Sequence, residues 1–229
     1  MKTIGLLGGM SWESTAEYYR LANELVRERR GGLHSADCVI RSVDFAVIEK
    51  LQSAGEWQAA GRLLASEARA LEAAGADLIV LCTNTMHKVA PAIEATISVP
   101  FLHIAETTAS AIVSEGLATV GLLATRFTME QDFYIDRLAA RGITAIVPSE
   151  TDRETVHRII YDELCLGVIR DESRAQYQRI MRDLVERGAQ GMVYGCTEIE
   201  LLVGPRDTTV PVFPTTRLHV EAAVELSLA

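Results

Sequence analysis

Cys196 is the residue of this sequence best placed to do chemistry. It follows the apolar, glycine-bounded run 189–195, which is typical of a buried strand, and the residues after it resemble the first turn of a helix. A thiol at a strand-to-helix turn lies near helix N-terminal N–H groups and the positive end of the helix dipole, which lower a cysteine pKa from about 8.5. A lone cysteine in such a run is otherwise a small buried apolar residue. The pattern favours a reactive thiol only if a partner group exists.

The partner emerges from an internal repeat. Segment 75–85 (GADLIVLCTNT) matches segment 188–198 (GAQGMVYGCTE) without a gap, which pairs Cys196 with Thr83 rather than with Cys82. Two further matches keep the same order, 3–9 with 119–125 and 99–100 with 210–211. The repeat predicts two similar halves. If a pseudo-twofold axis relates them, the two strand-to-helix turns face each other across a cleft.

The elements that position these turns alternate between strand and helix. Short apolar runs near 3–7, 38–43, 77–81, 99–104, 119–124, 143–147 and 210–213 predict strands, and helical stripes lie between them. This order predicts an α/β fold of two similar Rossmann-like α/β/α domains with mainly parallel sheets. We expect the first domain to comprise residues 1–104 with the C-terminal helix 215–229, and the second to comprise 105–214.

Composition excludes several classes of protein. The net charge of −9, with no Lys/Arg cluster, argues against a nucleic-acid partner. No uncharged apolar span approaches 18 residues, so no membrane helix is predicted, and no signal peptide is visible. The four cysteines have no paired spacing. They indicate reduced thiols and a cytoplasmic protein.

The sequence contains no strong motif for a metal, pyridoxal or nucleotide cofactor. A Cys/His hydrolase or a zinc site would have to use His87 near Cys82, with nothing else clustered there. Of the three lysines available for a pyridoxal Schiff base, Lys88 lies beyond a turn on a helix. The glycines of 5–9 match neither a dinucleotide fingerprint nor a Walker A motif. The sequence favours a reaction without a cofactor or metal.

Two facing polar turns suit proton transfer on opposite faces of one carbon. Inverting an α-carbon requires one group to remove a proton and a second group, on another wall, to supply one. Asn84, Thr85, Thr197 and backbone N–H groups at both turns could bind an α-carboxylate and stabilise the charge of the intermediate. The repeat would supply the two walls.

At these motifs the chain resembles the aspartate/glutamate racemase family. The resemblance rests on 4–10 (IGLLGGM), 81–87 (LCTNTMH) and 195–198 (GCTE) and runs the full length. It implies a cofactor-independent racemase with its active site in the cleft between two α/β domains, one base from each, and a small-molecule amino-acid substrate. A homodimer is common in the family. The resemblance places one base at Cys196 and implies substrate contacts from Met10, Gln52, Thr83, Asn84, Thr85 and Thr197.

This chain departs from the usual pattern at the other base. Many members have a thiol directly before the asparagine, whereas Thr83 precedes Asn84 here and Cys82 lies one residue earlier. Side chains alternate along a strand, so Cys82 is expected to face away from the cleft unless the turn bends. The chain thus resembles the L-aspartate/glutamate-specific or broad-specificity subgroup. A threonine hydroxyl is a far weaker acid than a thiol, so we expect kinetic asymmetry toward the L-enantiomer.

Two alternatives remain open. Another carbanion-forming isomerase or decarboxylase of the same superfamily would share the cleft, and a non-catalytic amino-acid-binding protein would share the two lobes. The cation for an acidic side chain is not identified by the sequence, where Arg41, Arg126 and Arg170 are candidates.

Overall fold

Strands and helices alternate along the chain in the computed structural model, which describes residues 1–229. The chain divides into two compact units, Met1–Ile104 with His219–Ala229, and Ala105–Leu218. From the sequence we expected the chain to return to the first unit at Thr215, whereas in the structure it returns at His219. The difference falls inside the C-terminal helix, whose first residues belong to the second unit.

The first unit contains a four-stranded, all-parallel sheet. Its strands are β1 (Ile4–Gly8), β2 (Cys38–Ser42), β3 (Leu78–Leu81) and β4 (Phe101–Leu102), in the order β2-β1-β3-β4. Its helices are α1 (Trp12–Arg30), α2 (Phe45–Ser53), α3 (Trp57–Ala73) and α4 (Ala90–Glu94), and a 3-10 turn covers Thr85–Val89.

The side chains of β3 alternate between two hydrophobic clusters. Leu78 and Val80 pack with Tyr18 and Leu25 of α1, whereas Ile79 and Leu81 pack with the face of α3 that contains Leu64. A strand that is buried on both faces needs apolar residues at every position. This explains why the sequence of β3, Leu-Ile-Val-Leu, contains no polar residue. The carboxyl end of β3 is therefore fixed from both sides.

The second unit repeats this arrangement. Its strands are β5 (Thr119–Ala124), β6 (Thr144–Ile146), β7 (Met192–Gly195) and β8 (Val212–Pro214), all parallel in the order β6-β5-β7-β8. Its helices are α5 (Ile104–Ser114), α6 (Arg126–Glu130), α7 (Asp132–Ala139), α8 (Glu150–Asp162), α9 (Asp171–Glu186) and α10 (Ile199–Leu202), with 3-10 turns at Leu164–Leu166 and Pro205–Asp207. The first residues of α11 (Thr215–Leu228) also belong to it, and the rest of that helix belongs to the first unit.

The predicted α/β class with parallel sheets is confirmed, but three elements differ from expectation. The helix expected over 128–140 is interrupted at Gln131, whose extended backbone separates α6 from α7. The strand expected over 99–104 pairs only at Phe101–Leu102, because α5 already begins at Ile104. The helix after Cys196 has only four residues. No helix of the chain has the length and apolar character that crossing a membrane requires.

Candidate active site

Thr83 and Cys196 occupy the same position in their respective sheets. Leu7 pairs with Leu81 in the first sheet, and Leu123 pairs with Tyr194 in the second. The sequence repeat aligns these same pairs, so strand register and repeat agree. Each candidate base lies two residues beyond the aligned pair, at the carboxyl end of a central strand.

The Cys82 side chain belongs to the core of the first unit. It is fully buried in the cluster that contains Leu78, Val80 and Tyr18, with its Sγ 3.7 Å from the Val80 carbonyl. Burial in apolar surroundings raises the pKa of this thiol well above its usual range. Alternation along the strand thus directs Cys82 into the core, and the next residue, Thr83, is half-buried.

His87 holds the turn that carries Thr83. Its Nδ1 lies 2.7 Å from the Thr83 carbonyl, and its Nε2 lies 3.2 Å from the Ile104 N–H. A carbonyl can only accept and an amide can only donate, so Nδ1 bears the hydrogen and the ring is neutral. Burial, then the neighbouring His103 and His219, hold the pKa of His87 well below its usual range. His87 therefore supports the backbone rather than acting as the histidine of a hydrolase.

Two more histidines complete this cluster. The His103 ring centroid lies 4.5 Å from that of His87, and the His219 centroid lies 5.6 Å from it. Tyr18 donates its hydroxyl hydrogen to His219 Nδ1 at 2.9 Å, because His219 Nε2 donates to the Leu102 carbonyl at 2.8 Å. Burial lowers the pKa of His219 to about 4. His87 and His219 are therefore uncharged near neutral pH.

The glycine loop after β1 is bound to the end of β3. Gly9 has a φ of +90°, and a Cβ there would come within 2.1 Å of the Val43 carbonyl oxygen, so only glycine fits. The Gly9 N–H donates to Thr15 Oγ1 at 2.7 Å, and Ser14 Oγ donates to the Cys82 carbonyl at 3.2 Å. These bonds fix the loop beside the Thr83 turn.

Met10 and Gln52 both pack near Met86. The Met10 side chain is buried in the cluster that contains Met86, and Gln52 Nε2 lies 2.8 Å from the Met86 Sδ. Gln52 Oε1 is buried and has no hydrogen-bond partner. A buried polar atom without a hydrogen bond lowers stability by about 1–3 kcal/mol. A ligand that donates a hydrogen bond to Gln52 Oε1 would remove this cost.

The second unit places a carboxylate beside the candidate thiol. Cys196 is half-buried, and its Sγ–H donates to Glu198 Oε2 at 2.9 Å. Thr197 Oγ1 lies 2.7 Å from Thr216 Oγ1, and Thr215 Oγ1 donates to the Tyr194 carbonyl at 2.9 Å. The start of α11 therefore fixes the Cys196 turn, as the His87 bond fixes the Thr83 turn.

The expectation of a lowered Cys196 pKa is wrong. The pKa of this thiol is raised well above its usual range, first by burial and then by the negative charge of Glu198 and by Cys165. The helix that follows begins at Ile199 and has only four residues, so its dipole is small. The sequence shows Glu198 two positions after the thiol, but not the direction of its side chain.

The site residues of each unit are thus contiguous turns fixed by neighbouring elements. Thr83, Asn84 and Thr85 follow β3, with Asn84 and Thr85 buried, and Cys196 and Thr197 follow β7. No group of three or more His, Cys, Asp or Glu side chains is arranged to hold a metal ion. Sequence reasoning missed Glu198 and the bracing role of His87. For Glu198 the only signal was an acid close to the cysteine.

Comparisons with known proteins identify the family. Residues 7–223 match the model of the Asp/Glu/hydantoin racemase family. The crystal structure of a Yersinia pestis protein described as a candidate Asp/Glu racemase is 54% identical, with a TM-score of 0.95 over 100% of both chains. An aspartate racemase homologue from Pyrococcus horikoshii is 33% identical, with a TM-score of 0.88 over 100% of both chains.

A more distant structure shares the fold. The aspartate racemase of Picrophilus torridus is 18% identical, with a TM-score of 0.78 over 99% of this chain and 94% of its own. The family model and the two closer structures carry the assignment, because they cover nearly the whole chain. The chain belongs to the Asp/Glu/hydantoin racemase family, and it is an isomerase of the amino-acid racemase type.

Proposed function

We propose that this protein racemises amino acids without a cofactor and uses Cys196 and Thr83 as acid/base groups on opposite faces of one α-carbon. The observation that carries the proposal is the shared register, which gives the two residues equivalent positions at the ends of β3 and β7. Inversion needs a proton acceptor and a proton donor from two walls, and a duplicated fold offers one from each unit.

In the proposed reaction the Cys196 thiolate removes the α-proton and becomes a thiol. The carbanion that remains is stabilised by delocalisation into the α-carboxylate, which Asn84, Thr85 and Thr197 would bind together with backbone N–H groups. The Thr83 hydroxyl then delivers a proton to the opposite face and recovers one from water. Gln52 would bind the substrate, and its unpartnered Oε1 is suited to accept a hydrogen bond from the ammonium group.

The pair is chemically unequal. A thiol is intrinsically a far better acid than a threonine hydroxyl, so Cys196 can hold the negative charge and Thr83 can only pass a proton. We therefore expect fast proton removal from the L-enantiomer and slow inversion. Because racemisation has an equilibrium constant of one, kcat/KM for inversion must be equal in both directions. The asymmetry would show as α-proton exchange without inversion.

Aspartate and glutamate are the substrates we propose, and Arg126 is the cation that we expect to bind the side-chain carboxylate. Arg41 is already bound by Glu67 through two nitrogens, and Arg170 Nε lies 3.9 Å from Glu163. Arg126 is exposed, makes no ion pair and follows β5, whose last residue pairs with Gly195. It thus lies at the strand end beside that of Cys196.

The experiment is proton NMR of L- and D-aspartate and glutamate in D2O, with chiral analysis of the same samples. Loss of the α-proton signal measures exchange, and chiral analysis measures inversion. Exchange of the L-form that outruns inversion would support the unequal pair. Equal rates would contradict it, because Thr83 would then work as well as a thiol.

Absence of exchange from every amino acid tested would contradict the racemase proposal. Maleate isomerisation and malonate decarboxylation would then be assayed as the alternatives that also form a carbanion. Ligand affinity of Cys196→Ser tests the binding-protein alternative, since a pure binding protein should keep its affinity without the thiol.

A further inference from the structure

The Cys196–Glu198 contact is unusual for a residue meant to become an anion. A neighbouring cation favours a thiolate, whereas Glu198 places a carboxylate 2.9 Å from the sulfur. Glu198 is buried, with 6% of its surface exposed, so solvent screens its charge weakly. The arrangement opposes a simple loss of the thiol proton to water.

The titratable groups that face this pair are acidic, and the nearby cations Arg158 and Arg170 are bound to Glu163. Cys165 faces it from the 3-10 turn at Leu164–Leu166, and Tyr177 faces it from α9. Glu163, at the end of α8, adds a third acidic group near Tyr177, and it is bound by Ser173 Oγ at 2.6 Å and by Arg158 at 3.4 Å. A second negative charge on Cys196 would therefore be added to an acidic, largely buried environment.

An internal transfer of the proton avoids this charge. If the S–H proton moves along its hydrogen bond to Oε2, the sulfur becomes a thiolate and Glu198 becomes a neutral acid that donates back to it. The pair then carries one negative charge before and after the transfer.

We propose that Glu198 holds the proton of Cys196 while the thiolate removes the α-proton of the substrate. This inference rests on the proposed function, since it assumes Cys196 to be the base. The S–H bond breaks as O–H forms on Glu198, and the Cα–H bond then breaks as S–H forms again. Glu198 afterwards releases its proton to water, and water restores the proton that Thr83 delivers, so protons balance over the cycle.

The same pair explains how a captured proton reaches solvent. A proton taken from the substrate can be returned unchanged unless it leaves the sulfur, and a half-buried sulfur has limited contact with water. Glu198 gives it an oxygen to which it can move. Exchange of the α-proton with D2O should thus depend on Glu198. Glu198 acts through Cys196 and is a positioning residue.

The test compares Glu198→Gln, which keeps the shape but cannot accept the proton, with Glu198→Asp, which keeps the carboxylate. Glu200→Gln, an exposed acid on α10, is the matched control. The pH dependence of Cys196 alkylation by iodoacetamide, read by peptide mass spectrometry, gives the titration of the thiol. α-Proton exchange of L-glutamate is measured on the same preparations, after circular dichroism has shown that each variant folds.

Two opposite changes are expected in Glu198→Gln. Alkylation of Cys196 at pH 7 should become faster, because the adjacent negative charge is gone, whereas α-proton exchange should fall at least tenfold, because the thiol has lost its proton acceptor. Glu198→Asp should recover part of the exchange, and Glu200→Gln should match the wild type in both. A merely structural role would lower both rates together and would not be rescued by aspartate.

The inference is overturned if Glu198→Gln keeps exchange within twofold of wild type, or if its alkylation becomes slower at pH 7. Failure of the proposed function is recognised separately, by the absence of exchange in the wild type. In that case the pH dependence of Cys196 alkylation alone decides whether Cys196 and Glu198 share a proton. If Glu198→Gln leaves that pH dependence unchanged, the two residues do not share one.

Discussion

The two strand ends share a backbone position but have opposite chemical surroundings. Thr83 lies beside the neutral His87 and follows a thiol, Cys82, that is buried in the core. Cys196 lies in an acidic environment, with Glu198 in contact with its sulfur. The comparison teaches that the fold can give two residues equivalent positions while the neighbours of each decide which of them can carry charge.

The largest effect is expected from Cys196→Ser, which removes the thiol that we propose as the base. General base catalysis contributes about 10²–10⁴-fold, so α-proton exchange should fall about a thousandfold. Proton NMR in D2O measures it. Cys38→Ser, a half-buried thiol on β2, is the control and should retain exchange. Activity surviving in Cys196→Ser would mean that the second strand end is not the base.

Acid should destabilise the histidine cluster of the first strand end. The pKa of His219 is about 4 in the folded protein, against about 6.5 when unfolded, so between these values the unfolded chain binds a proton that the folded chain does not. Stability should thus fall as the pH drops from about 6.5 to 4, by about 3 kcal/mol from His219 alone. Urea unfolding at a series of pH values measures this loss.

The matched variants are His219→Gln and His34→Gln. The first should flatten the slope of unfolding free energy against pH by about 1.4 kcal/mol per pH unit, since one proton is removed from the linkage. His34 is exposed, and its substitution is the control for replacing a histidine outside the buried cluster. A slope that His219→Gln does not alter would contradict the buried, neutral state of this histidine.

Thr83→Cys should make the two strand ends alike. With a thiol in each position, inversion of glutamate should rise about tenfold relative to exchange, because the second group can now hold charge as well as pass a proton. Chiral chromatography against NMR exchange gives the ratio. Cys82→Ala in the same background separates the two thiols, and it should not reduce the gain. A gain lost with Cys82 would show that this thiol, not residue 83, does the work.

The smallest effect on activity is expected from replacing Arg126. The repeat aligns Arg126 with Met10 of the first unit, so methionine is the replacement we choose. Arg126→Met should raise KM for aspartate about threefold to tenfold, the loss of one partly screened ion pair of about 1 kcal/mol. KM for a neutral amino acid should not change. Equal changes in KM for acidic and neutral substrates would show that Arg126 does not bind the side-chain carboxylate. Arg170→Met is the control on the same unit.

The fold was predictable because its signals are local and repeated. Each central strand is an uninterrupted apolar run, and the repeat fixed which residues are equivalent before any strand pairing was known. The match of Thr83 with Cys196 in the two registers followed from that alignment. Element ends were less accurate, as at Gln131, where one extended residue divides a helix that periodicity joins.

The electrostatics of the site could not be predicted in the same way. The pKa of Cys196 depends on burial and on the direction of the Glu198 side chain, and neither follows from spacing. His87 likewise looked like a residue one turn beyond Thr83, and its function as a brace depends on Ile104, which contacts it from a distant part of the chain. Long-range contacts of this kind decide which group is charged, and sequence patterns do not encode them visibly.

The shared register has an evolutionary consequence. Inserting one residue before either turn would exchange the buried and half-buried sides of the strand end and bring Cys82 or Gly195 to the place of Thr83 or Cys196, and a deletion would bring Asn84 or Thr197 there. Gaps in these strands should therefore be purged by selection, while substitutions at positions 83 and 196 remain tolerable to the fold. A duplicated gene of this kind can thus diverge in chemistry one residue at a time, with its two halves held to a common length.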